Sequence, residues 1–530
     1  MFLSVFALAL RGLLLLTLAL PLPAAAYDLL IRNARVVDGT GNPWFRAAVA
    51  VRGGRIAAVG PLPGLSASRV IDAQGQILAP GFLDVHTHIE GGIEKVPGGD
   101  NYLLDGVTTV VTGNCGGSET RLADWFARLE QTGLGLNVAS LIGHNSVRRA
   151  VLGTENRPAA PAELARMQAL VEENMRAGAV GFSTGLIYIP GTYADTAEVV
   201  ALAQAAARHG GVYASHMRDE GARVLEAIAE AVRVGRESGL PVQLSHFKID
   251  NRRRWGKAEE SLALVEKFRR EGVDVVVDQY PYDRSSTTLG ITLPAWALAD
   301  GIEQTKARLA DPATRARIVR EMQARLRELG HNNYAYATVA SCEANRSYEG
   351  KTITEITRMK GRKPRVREEI ETILEIIAQG GAQMVYHSMS ERDVERILRY
   401  PHTAVASDGG VRELGAGVPH PRSYGTNARV LAEYVRRKGV LTLEDAIRRM
   451  TSLPARTFGF RDRGLIREGM AADLVLFDPD TVQDKATYTH PHQYSEGFSL
   501  VVVNGVVAAE NGKVTGARAG RILRRGGSLP

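Results

Sequence analysis

Cysteine is nearly absent, with two residues, Cys115 and Cys342, in a chain of 530. That excludes a disulfide-stapled scaffold, and the two thiols lie in such different contexts that no disulfide is expected between them. Beyond the N-terminal stretch, no segment is apolar enough to span a bilayer, so no stable membrane span is expected in the mature chain. Aromatic residues make up 6% of the chain and are not interleaved with basic ones. With no recognisable nucleic-acid motif, a net charge of +7 does not imply a nucleic-acid partner. Lys513, Arg518, Arg521, Arg524 and Arg525 make the C-terminus basic, and residues 518–530 are expected to be a solvated, frayed tail.

The first 26 residues carry one charge, Arg11, then an apolar run 13–20, a Pro-Leu-Pro step and the triplet Ala24-Ala25-Ala26. A short apolar run closed by small residues is the pattern of a cleaved signal peptide. An uncleaved anchor is the alternative; the prolines and alanines favour cleavage near Ala26. The protein is therefore expected to be exported, to the periplasm or outside the cell.

From Tyr27 onward the chain changes texture. Residues 27–79 read as short strands separated by Gly and Asn turns, and residues 461–517 repeat that pattern. Two β-rich ends around a long middle imply one small β-sandwich domain built from both termini. Between them, residues 80–460 carry eight short apolar strands, many trailed by an amphipathic helical pattern. The strands fall near 82–88, 106–112, 136–142, 179–185, 212–216, 242–246, 273–278 and 403–408. This beat implies an α/β fold, a (β/α)8 TIM-like barrel. Residues 289–397 break it with charged helical stretches, and read as an insertion between strands 7 and 8 that forms a lid over the barrel mouth.

The chemistry lies at the strand ends. GFLDVHTHIE places His86 and His88 two residues apart, which on a strand turns both imidazoles to one side. Alone, that pair fits satisfied core histidines as well as it fits ligands. Cys115, His216, His246 and Asp408 close further strands, and barrel sites are built at that end. Six ligand-type side chains on one rim point to a metal, and imidazole with thiolate favours zinc over magnesium or calcium. Asp408 also suits a second role, taking a proton from water attacking a carbonyl and passing it to the leaving amine.

The motifs GVTTVVTGNCG (106–116), LIGHNSVRR (141–149), FSTGLIYIPG (182–191), YASHMRDEG (213–221), LSHFK (244–248), DQYPYDRSST (278–287), ASDGG (406–410) and HPRSYGT (420–426) run through nearly the whole mature chain. In this order the chain resembles the amidohydrolase superfamily and, within it, the N-acyl-D-amino-acid deacylases. The resemblance implies zinc-dependent cleavage of N-acyl-D-amino acids to a carboxylate and a D-amino acid. It implies a tight zinc site at Cys115, His216 and His246, and a weaker one at His86, His88 and Asp408, with Asp408 as acid and base. It further implies that Tyr188, Lys248, Ser286 and Arg422 hold the substrate, with Tyr280 nearby.

Lys and Arg are suitable partners for a carboxylate, although Lys248 and Arg422 fit structural ion pairs too, and Tyr188 fits core packing. Relatives acting on cyclic amides bridge two metals with a carboxylated lysine on strand 4, where this chain reads AVGFSTG. Phe247 stands where relatives often have another histidine. Asp283 and Arg284 put charge beside the implied substrate loop and leave side-chain preference open. A related hydrolase of dipeptides or cyclic amides is the second reading, and a barrel serving only to bind is the third. The number of metals stays open, and association into a homo-oligomer is an expectation from size alone.

Overall fold

The computed structural model describes residues 26–525, so the expected signal segment lies almost wholly outside the described residues. Strands occur at each of the eight expected positions. Phe82–Asp84, Val107–Thr112 and Asn137–Ser140 form one parallel sheet. Ile142–Gly143, Gly181–Gly185, Val212–His216, Val242–Leu244, Val275–Gln279 and Thr403–Val405 form a second. The strands are buried on both faces, which is why they read in sequence as unbroken apolar runs. Leu141 alone separates the last strand of the first sheet from the first strand of the second. At the other edge, Thr87 makes a parallel bridge to Gly409. His88 N there donates to Gly409 O at 2.7 Å, and Asp408 N to His86 O at 2.8 Å.

Helices flank these strands. Val224–Ser238 shows why: Val224, Ala227, Ile228, Ala231, Val232 and Gly235 recur at helical spacing and are buried. Gly235 lets the helix approach closely, since a Cβ there would strike the Val242 side chain. The helix ends at Gly239, whose φ of +80° suits the left-handed cap position.

The two chain ends meet in one nine-stranded sheet. Its joint is Ile77–Pro80 running antiparallel to Leu474–Phe477. Leu29, Ile31, Val49, Leu474, Leu476 and Val502 build its core.

Buried Asp105 ties the C-terminal half of the chain to the first parallel sheet. Its carboxylate accepts from Asn427 N at 2.8 Å, Ala428 N at 3.1 Å, Asn427 Nδ2 at 3.0 Å and Ser495 Oγ at 2.7 Å. Asp105→Ala strands these buried donors and should cost about 3 kcal/mol, read as a lower denaturation midpoint at unchanged m-value.

Two expectations change. The inserted segment has its own core of Leu289, Ile318, Ile353, Ile370 and Met384. Its three-stranded antiparallel sheet begins earlier than residue 289, at Arg284–Thr288 paired with Gln383–His387. It also ends before 397, because Glu391–Arg399 buries Val394, Ile397 and Leu398 in the main core. The basic C-terminus, as far as it is described, is docked rather than frayed. Gly520 bridges Leu134, Ile522 bridges Val138, Ile522 and Leu523 are buried, and Arg524 pairs with Glu130 at 2.6 Å. Among the described residues no helix is long and apolar enough to cross a membrane.

Candidate metal centre and active site

The six strand-end residues converge. One ligand atom from each of Cys115, His216 and His246 lies within 4.8 Å of the others, and the same holds for His86, His88, Cys115 and Asp408. The Cys115 sulfur is common to both groups, 3.3 Å from His86 Nε2 and 3.5 Å from His246 Nε2. Asp408 Oδ1 is 3.0 Å from His88 Nε2 and 3.5 Å from His86 Nε2.

The chain bends sharply to bring them in. Cys115, His246 and Asp408 have φ of +53°, +34° and +51°, a left-handed backbone that non-glycine residues rarely adopt. Such conformations persist where the surroundings over-determine them, and here they occur at three of the six convergent side chains.

Carboxylates behind the imidazoles orient them. Asp278 lies 3.2 Å from His86 Nδ1, so that nitrogen donates outward and Nε2 faces Cys115. Asp278 is itself held by Gln243 Nε2 at 2.7 Å and His246 N at 2.8 Å. His246 Nδ1 meets Lys248 Nζ at 2.7 Å, and Glu220 Oε1, 3.0 Å from the same nitrogen, accepts from that ammonium at 2.7 Å. Sequence reasoning missed Glu220, Asp278 and Gln243. Asp278 closes strand 7 as Asp408 closes strand 8, and Glu220 lies four residues beyond His216; those were the available signals.

The residues fit a zinc ion. His216 is buried, and neither of its ring nitrogens has a hydrogen-bond partner among the described residues. A buried polar atom left unsatisfied costs about 1–3 kcal/mol, which coordination would remove. Burial pushes the Cys115 thiol up, but His86 and His246 outweigh it and hold it well below the usual thiol range. That direction favours the thiolate, the form that binds metal. Burial likewise opposes ionisation of Asp408, and Arg422 with His86 holds that carboxyl well below its usual range. Burial lowers His88, yet its bond to Asp408 and the nearby Cys115 carry it to about 9. A bound cation would displace such ring protons.

The side chains implied for substrate sit around this cluster. Arg422 Nη1 lies 2.9 Å from Asp408 Oδ2, Nη2 donates to Ser286 O at 3.3 Å, and its guanidinium stacks 4.6 Å over the Tyr280 ring. The Tyr280 hydroxyl is buried and without a hydrogen-bond partner among the described residues. The Tyr188 ring is 4.7 Å from that of His216, and its hydroxyl accepts from Thr287 Oγ1 at 3.0 Å. Lys248 is buried against Glu220, and Ser286 meets Arg422 through its carbonyl. The His88 side chain is 38% exposed, leaving one side of the cluster open. A cavity of about 830 Å³ is lined by Tyr188 and Glu220 together with Ile291, Leu293, Met322 and Arg325 of the inserted segment.

The sequence pattern of the amidohydrolase family matches residues 69–509. The chain belongs to the amidohydrolase family. This amidohydrolase is 35% identical over 532 residues to a D-aminoacylase of Alcaligenes xylosoxydans xylosoxydans, covering 94% of this chain and 98% of that one. It is 36% identical over 524 residues to an N-acyl-D-glutamate deacylase of the same organism, covering 95% and 97%. A crystal structure of N-acyl-D-glutamate deacylase from Bordetella bronchiseptica, complexed with zinc and a phosphonate mimic of the reaction's tetrahedral intermediate, is similar at TM-score 0.78 and 33% identity. The match covers 94% of this chain and 99% of that one.

Proposed function

We propose that this amidohydrolase is a zinc-dependent N-acyl-D-amino-acid deacylase, cleaving the amide to a carboxylate and a D-amino acid. The observation that carries the reading is the pair of ligand groups meeting at Cys115, with the cations of Arg422 and Lys248 close by. The 35–36% identity to deacylases over nearly the whole chain supports it. Cys115, His216 and His246 would hold the zinc and His86, His88 and Asp408 a weaker second ion, and the bound metal would supply Lewis acidity toward the amide carbonyl and water.

Asp408 accepts the proton of the attacking water and returns it to the departing nitrogen. Arg422 and Lys248 supply positive charge for the substrate's α-carboxylate. Asp278 and Glu220 keep the imidazoles turned inward through the cycle.

We read the two parallel sheets as one eight-stranded barrel, supported by the single-residue step at Leu141 and the Thr87–Gly409 bridge. The nine-stranded sheet is read as the small β-sandwich domain. The inserted segment is read as a lid, because Thr287 and the Ser286 carbonyl bond directly to Tyr188 and Arg422. Residues 1–26 are read as an export signal on their sequence pattern.

A panel of N-acetyl-D-amino acids, N-acetyl-L-amino acids, dipeptides and hydantoins tests the activity. The expected result is turnover of acyl-D substrates, lost on chelation and restored by zinc. Preference for hydantoins, or turnover indifferent to chelation, would contradict it.

A further inference from the structure

LIGHNSVRR is a motif to which the deacylase reading gives no task. Its Asn145 is buried between two loops of the site. Its Oδ1 accepts from Gly185 N at 3.2 Å, while Nδ2 donates to Gly185 O at 2.9 Å and to Tyr188 O at 3.3 Å. The carboxamide thus grips the loop that presents Tyr188. It also packs against the loop just beyond Cys115: a Cβ added to Gly116 would strike Asn145 Oδ1, and one on Gly191 would lie 2.6 Å from the same atom. A Cβ on Gly185 would strike the Cys115 carbonyl.

The next residue continues the brace, with Ser146 N donating to Gly116 O at 3.0 Å and Ser146 Oγ accepting from Ser118 N at 3.0 Å. Below, the helix His144–Leu152 is anchored by a buried network in which Glu198 meets His144 Nε2 at 2.9 Å and Arg148 Nη1 at 2.6 Å. A rigidly mounted carboxamide therefore bonds to the loop that carries Tyr188 and packs on the loop that carries Cys115.

Resting on the deacylase reading, we propose that Asn145 is a positioning residue: it locks the Tyr188 loop to the Cys115 loop and so sets the Tyr188 phenol against the ligand cluster. The amide's two donors and one acceptor match the three backbone groups they meet, and the carboxamide has little room to turn. An alanine leaves the Gly185 and Tyr188 carbonyls without their donor. An aspartate keeps the acceptor but faces those carbonyls with oxygen.

The test compares Asn145→Ala, Asn145→Asp, Tyr188→Phe and the double variant Asn145→Ala/Tyr188→Phe. Substrates are N-acetyl-D-leucine, N-acetyl-D-glutamate and N-acetyl-D-aspartate. Small displacements of positioning groups cost up to about 100-fold, so kcat of Asn145→Ala should fall by about 10- to 100-fold. KM and zinc content should change little, the melting temperature should fall modestly as buried backbone groups lose their partners, and kcat of Asn145→Asp should fall as far.

Because Asn145 acts through Tyr188, the double variant should be no slower than the slower single variant. In cobalt-substituted protein, the thiolate-to-cobalt absorption should change with Asn145→Ala. Multiplying losses in the double variant, an active Asn145→Asp, or a loss accounted for by zinc content or by the fraction unfolded at the assay temperature would each overturn the proposal. Should the unaltered protein hydrolyse no acyl-D-amino acid, the deacylase reading falls, and the cobalt spectrum still decides: an unchanged band refutes the role of Asn145.

Discussion

Asp408→Asn should lower kcat by about 10²- to 10⁴-fold, the usual worth of a general acid–base group. The replacement is nearly isosteric. The change removes the ion pair that Arg422 Nη1 makes with the carboxylate at 2.9 Å, but the buried guanidinium keeps the Ser286 carbonyl as the partner of its Nη2. What the amide cannot do is take a proton and give it back. Asp408 does not belong to the group formed by Cys115, His216 and His246, so one equivalent of tightly held zinc should remain. Steady-state kinetics with metal analysis on the same preparation check both halves. A variant that turns over at close to the unaltered rate removes Asp408 from the proton path.

Cys115→Ala should be more damaging, because it deletes the one atom that both ligand groups share. Two imidazoles remain in one group, fewer protein ligands than a catalytic zinc site usually has. Loss of an outer partner typically costs about 10- to 100-fold in metal affinity, and loss of the thiolate itself should exceed that. After dialysis the variant should hold no stoichiometric zinc and should show no turnover above background. Its far-ultraviolet circular dichroism should be unchanged, since the fold's cores are built elsewhere. Retained zinc with retained activity would mean that the sulfur is a bystander.

How much of this was open to view in the chain itself depended on whether a residue's role shows in its neighbours along the sequence. His86, His88, Cys115, His216, His246 and Asp408 each come after a short apolar run, and strands buried on both faces announce themselves that way. Their convergence was then implied by the common rim. Asp278 also follows such a run, but its task shows only in its partner His86, 192 positions away. Glu220 follows no such run, and its partner His246 lies 26 positions away; Gly185, the partner of Asn145, lies 40 positions away. Only the folded arrangement joins them.

The inserted segment shows the same limit. Arg284–Thr288 reads RSSTT, a polar run that looks like loop; pairing with Gln383–His387 makes it a strand. At the C-terminus, the arginines suggested a solvated tail. Ile522 and Leu523 decide otherwise by burying themselves, and Gly520 permits it, since a Cβ there would collide with the Leu136 backbone.

The claim on which the rest depends is that a sulfur and imidazoles from distant strands bind one ion. X-ray absorption at the zinc edge of the purified, singly loaded protein measures this directly. The account predicts one sulfur neighbour at about 2.3 Å together with nitrogen or oxygen neighbours at about 2.0–2.1 Å. A first shell of nitrogen and oxygen alone would contradict it.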